Sequence, residues 1–113
     1  MNKQLKEKWI KELESGKIKQ ARARLKLDED SMCCLGVLCN IIDPNRWDDQ
    51  SGWGHNNGLF GIEGMRTRST HTVPTNTCSA IHLKMKDARK LAVMNDTLKL
   101  SFKEIAKWIR ENL

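Results

Sequence analysis

The chain has 113 residues, 39% of them hydrophobic and 30% charged, with a formal net charge of +6. That length fits one small core, and the longest apolar run falls well short of the roughly 20 residues that cross a bilayer. The composition therefore argues against a membrane span and a multidomain enzyme, and it predicts a single soluble, cytoplasmic domain over 1–113.

Residues 3–14 carry Leu5, Trp9, Ile10 and Leu13 at helical spacing, with Lys3, Lys6, Glu7, Lys11, Glu12 and Glu14 on the other face. An amphipathic helix follows, and Gly16 supplies its stop. From Lys17 to Leu27 helix and strand periodicities fit equally well, and the choice stays open. Asp28-Glu29-Asp30-Ser31 then forms a polar turn in which Asp30 or Ser31 can cap the next element.

That element, Met32 to Ile42, is interrupted only by Gly36 and Asn40 and contains no charge. It must be covered by the rest of the domain. Leu, Met and Cys are less strand-prone than a Val/Ile run, so a buried central helix is predicted, ended by Asp43-Pro44. Residues 43–80 form an irregular segment holding five of the seven glycines and both prolines. Strand candidates there are Leu59–Ile62 and Thr70–Val73. The segment reads either as a binding region or as a connection with its tryptophans folded down as lids.

A further helix is predicted from about Met85 to Asn95. Ser101-Phe102-Lys103-Glu104 then makes a capping box, with Leu100 and Ile105 as a hydrophobic staple, and the helix runs to the C-terminus. The fold class predicted is α+β, mostly helical. Its amphipathic helices pack around the Cys-rich element, with Trp9, Leu35, Val37, Leu38, Ile105, Trp108 and Ile109 in the core.

At Cys33-Cys34-Leu35-Gly36-Val37-Leu38-Cys39, at Gly16-Lys17-Ile18-Lys19-Gln20, at Asn95-Asp96 and at Ser101-Phe102-Lys103-Glu104-Ile105-Ala106 the chain resembles a group of small proteins encoded by tailed bacteriophages and prophages. The match covers both ends of the chain and hardly touches the middle. The resemblance implies a source and a shared fold, and a non-catalytic accessory protein that binds a host macromolecule to inhibit a host enzyme or defence complex. A variable middle fits a partner-specific surface, with Trp47, Trp53, Phe60, Arg66 and Arg68 as the candidate partner-binding residues.

The alternative expectation is nucleic-acid binding through Lys17, Lys19, Arg22, Arg24 and Lys26, together with Lys103, Lys107 and Arg110 on the last helix. Such a run lacks interleaved aromatics for stacking single strands, and no recognition helix follows the Ser-x-x-Glu-Ile-Ala phrase.

A third expectation is a zinc-stabilised domain drawing on Cys33, Cys34, Cys39, Cys78, His55, His71 and His82. The ligands lack knuckle spacing, and on one helix Cys34 and Cys39 point about 140° apart. Reduced, buried thiols are the simpler reading, and neither a metal nor a cofactor is predicted. Cys78 and His82 would be i and i+4 if they shared a helix, the only local pair with nucleophile–base spacing; a chance pairing is the favoured account.

Overall fold

The structure, a computed structural model, describes residues 1–48, 51–54 and 70–113. Helix α1 spans Lys3–Glu14 and starts at Asn2, whose side chain accepts from Leu5 N at 3.0 Å. Its apolar stripe is buried at Trp9, Ile10 and Leu13. Gly16 ends it with φ +77°, in the left-handed region where a side chain is strained.

The ambiguous stretch after α1 becomes three very short strands: β1 (Lys19–Gln20), β2 (Lys26–Asp28) and β3 (Ser31–Met32), in the order β1-β3-β2. β3 pairs parallel to β1 and antiparallel to β2. Ser31 therefore sits in a strand and is not the cap of the central helix. Helix α2 starts two residues later than the sequence suggests, at Cys34–Ile42, with Cys33 as N-cap and its sulfur accepting from Gly36 N at 3.4 Å.

α2 is the centre of the molecule, buried continuously from Cys34 to Cys39. Its first turn docks on the chain at Leu25, whose carbonyl accepts from Cys33 N at 3.0 Å. Gly36 faces that same carbonyl, and a Cβ there would lie 1.9 Å from Leu25 O. From the other side, Trp9 Nε1 donates to Cys34 O at 2.9 Å, tying α1 to the first turn of α2.

After α2 a 3-10 turn (Pro44–Arg46) leads to an isolated bridge between Trp47 and Trp53. Thr70–Val73 is bent, not a strand, and Leu59–Ile62 lies outside the described residues. Helix α3 (Thr75–Ala80), which the sequence pattern did not suggest, precedes α4 (Met85–Asp96) and α5 (Phe102–Asn112). The fold is α+β and mostly helical.

α5 has the predicted capping box, with Ser101 Oγ accepting from Glu104 N at 3.2 Å and Glu104 Oε1 accepting from Ser101 N at 3.1 Å. It buries Phe102, Ile105, Ala106 and Ile109 and lies against α1. Trp108, placed in the core by its spacing, is only partly buried, with Lys90 Nζ 5.4 Å from its ring centre. Because the box satisfies two helix-end donors at once, Ser101→Ala is expected to cost about 1 kcal/mol in urea unfolding. A loss below a few tenths would mean that water replaces the box without penalty.

Candidate binding surface

The residues singled out in the sequence meet different fates. Trp53 is fully buried, its Nε1 donating to Asp43 O at 2.9 Å and the Arg46 guanidinium 5.5 Å from its ring centre. It is a core residue and offers no surface to a partner. Trp47 is half-buried, its Nε1 donating to Asn40 Oδ1 at 3.0 Å. Both indoles thus bond to the C-terminal part of α2 and the residue after it, which is the lid arrangement. Phe60, Arg66 and Arg68 lie outside the described residues.

The basic run from Lys17 to Lys26 does not form one face. Lys26 is buried, with its amine 3.2 Å from Glu29 Oε1 and 5.0 Å from the Trp47 ring centre. This amine is committed to the fold and is withdrawn from any phosphate. Arg22 reaches across to α4, its guanidinium donating to the Asn95 carbonyl, where a cation favours the negative end of the helix. Arg24 is half-buried, with Nε enclosed and without a hydrogen-bond partner among the described residues. Only Lys17 and Lys19 remain as exposed members without such a role. On α5, Lys103 and Lys107 are exposed, whereas Arg110 pairs with Glu14 at 3.0 Å.

Arg22 belongs to a polar network that joins three of the sequence motifs. Asn95, fully buried near the end of α4, accepts at Oδ1 from Gln20 Nε2 (2.8 Å) and Cys34 N (3.2 Å). Its Nδ2 donates to Ala21 O (2.8 Å) and Asp96 Oδ1 (2.7 Å). Asp96 Oδ1 also accepts from Ala23 N at 2.9 Å, holding Ala23 at φ +65°. The Gly-Lys-x-x-Gln approach, the Cys-rich helix and the Asn-Asp turn therefore meet at one amide, and their role here is architectural.

The thiols of Cys33, Cys34, Cys39 and Cys78 are all free and buried. Burial pushes Cys33 up to about 11 from an ordinary 9.0, against the opposing Gly36 N–H. Burial drives Cys34 and Cys39 well above the ordinary value, with Cys33 adding to both, and raises Cys78. Nucleophilic thiolates require the opposite shift. α3 stops at Ala80, so Cys78 and His82 do not share a helix; His82 follows it exposed, at φ +58°. Among the described residues no three His, Cys, Asp or Glu side chains gather as metal ligands.

These shifts carry a pH dependence. A thiol whose pKa is raised in the folded state contributes stability that is fully present below its unfolded value near 9.0 and is lost as pH rises toward about 11 and beyond. The urea midpoint is expected to stay level from neutral pH to about pH 8.5 and then fall, and iodoacetamide should label the native thiols at least ~100-fold more slowly than the unfolded ones. Fast labelling of one native cysteine would show that thiol to be accessible.

What the structure does gather is on the outside of α4. Lys86, Arg89, Lys90, Val93 and Thr97 are all exposed, and at helical spacing they fall within an arc of about 100°. Leu98 and Lys99 continue the strip into the α4–α5 turn. Three large hydrophobics are conspicuously exposed among the described residues, and two of them, Val93 (47%) and Leu98 (59%), lie on this strip. Asp87 is on another side of α4, and Asp96 at the strip's margin is engaged by Ala23 N and Asn95. The sequence showed a basic excess in this third of the chain, but not that it shares a face with exposed apolar side chains. The signal was present at i, i+3, i+4 and i+7 from Lys86, on the face opposite to the core stripe.

Among the described residues no helix is long and apolar enough to cross a membrane. Comparison with curated proteins finds no match, and neither does comparison with solved structures. The family described as "Domain of unknown function (DUF8296)" matches residues 1–113, the whole chain, and the protein belongs to that family.

Proposed function

We propose that this chain is a non-catalytic, phage-type accessory protein that docks an acidic surface of a host protein through the outer face of α4. The observation that carries the reading is the strip itself, where Lys86, Arg89, Lys90 and Lys99 surround the exposed Val93 and Leu98. Cations at the rim steer an acidic partner and suppress wrong ones, while apolar side chains at the centre supply contact that slows dissociation. The phage resemblance supplies the host side of the reading, and covering a surface is the simplest way for such a protein to inhibit.

Two features favour a protein partner over nucleic acid. Phosphate binding gains nothing from Val93 and Leu98 on the surface. The Lys17–Lys26 run, the strongest sequence argument for phosphate contacts, is broken up by the burial of Lys26 and the commitment of Arg22 to α4.

The test is capture from nuclease-treated bacterial lysate by tagged wild type and by the triple variant Lys86→Gln, Arg89→Gln, Lys90→Gln, which keeps helix-forming residues on an exposed face. Wild type should retain an acidic host protein, and the variant should bind it at least ~10-fold more weakly. Equal capture by the variant would remove α4 as the site. Recovery of nucleic acid alone, lost as salt is raised, would replace this reading with the phosphate-binding one.

A further inference from the structure

The third exposed large hydrophobic is not on α4. Leu27, 58% exposed in β2, is followed by Asp28-Glu29-Asp30, the only run of three acids in the chain. All three acidic residues are exposed. Asp28 Oδ1 accepts from Asp30 N at 2.9 Å, which holds the turn in a fixed shape. Glu29 is already paired with Lys26, so Asp28 and Asp30 carry the turn's uncompensated charge.

From these observations we infer that the α4 strip also receives the Leu27–Asp30 turn of a second copy of this chain, giving a weak head-to-tail association that covers the strip. The proposal rests on the reading of α4 as a docking face and names one occupant of it. The chemistry is complementary in both respects: a leucine beside two exposed carboxylates meets Val93 and Leu98 beside Lys86, Arg89 and Lys90. β1 runs into the Asn95 network at the end of α4, whereas β2, at the opposite edge of the sheet, carries Leu27. Both patches are exposed in the single chain and so are not covered by each other, which leaves them to pair between molecules.

The two patches differ, so the contact is heterologous and the pair keeps one free acidic turn, on one copy, and one free strip, on the other. A patch of so few side chains is at the small, transient end of interfaces, so association sets in only at high protein concentration. There it occupies the strip, and an acidic partner must displace it.

Sedimentation velocity on the full chain tests this, from about 10 µM to about 1 mM and at low and high salt. One variant neutralises the strip (Lys86→Gln, Arg89→Gln, Lys90→Gln). The other neutralises the turn (Leu27→Ser, Asp28→Asn, Asp30→Asn), and asparagine at 28 keeps an acceptor for the Asp30 backbone bond. Wild type should sediment faster as concentration rises, less so in high salt, while each variant alone stays monomeric. An equimolar mixture of the two should form a one-to-one dimer and stop there, because one intact strip meets one intact turn.

A wild type that stays monomeric throughout overturns the inference, as does a variant that self-associates like wild type or a mixture that stays monomeric. If association is absent while the strip variant still loses host-protein capture, the inference fails and the docking reading stands. If association follows the predicted pattern while capture is unchanged in the strip variant, the host-partner reading fails instead.

Discussion

Replacing Gly36 with alanine should destabilise the protein by about 3 kcal/mol or more, lowering Tm by something on the order of 10–20 °C. A Cβ at this position would lie 1.9 Å from Leu25 O and 2.7 Å from Leu25 C, and backbone atoms cannot swing aside as a side chain end can. Either α2 moves away from Leu25, losing the bond from Cys33 N to the same carbonyl, or the Leu25 backbone moves and pulls on its own bond to Thr70 O. Gly16→Ala is the informative comparison. Nothing lies within 4 Å of its Cβ position, and the only cost is the left-handed φ of +77°, about 1 kcal/mol. Thermal and urea unfolding of the two variants side by side separate steric exclusion from backbone strain. If Gly36→Ala melts within a few degrees of wild type, the close approach of α2 to Leu25 is wrong.

The second large effect is expected at Asn95. Its amide fills every hydrogen-bonding position it has, with two donors at Oδ1 and two acceptors at Nδ2. Truncation to alanine strands the buried Cys34 N–H and the Ala21 carbonyl together. Each orphaned buried group costs about 1–3 kcal/mol, so the sum is on the order of 3–5 kcal/mol. Asn95→Asp adds a sharper readout, because it keeps the acceptor oxygens but sets a carboxylate against Asp96 and the Ala21 carbonyl. Burial and that neighbour raise the pKa of the introduced group in the folded state. Relative to wild type, its penalty should therefore be largest at neutral pH and shrink on acidification toward the ordinary carboxylate range near pH 4. A penalty that is flat with pH would mean that the amide's environment is open to water.

Short-range interactions leave their mark in the local sequence, and long-range ones do not. α1, α4 and α5 were legible because their apolar stripes recur every three to four residues and their ends are set by neighbours: Gly16 after α1, and Ser101 with Glu104 at α5. The centrality of the Cys-rich run was legible from its lack of charge. Its start was misplaced because Ser31 and Met32 are taken by pairing with Lys19 and Gln20, a contact that no local pattern at Ser31 reveals. Of the candidate site, the basic excess of the last third was visible, but its joining with Val93 and Leu98 needed the core face of α4 to be known first.

Lys26 and Trp53 illustrate the opposite error. Each has a residue type that usually sits at a surface or an interface, yet Lys26 is covered by Trp47 and Glu29, and Trp53 is buried with its indole on Asp43 O. Composition and periodicity by themselves determined that this chain folds as helices around one chargeless segment, because burial of an apolar stripe is read off spacing alone. Only the tertiary structure decided which cations are spent inside the fold, why position 36 must be glycine and which face of α4 is left over, because each depends on atoms brought together from distant points in the chain.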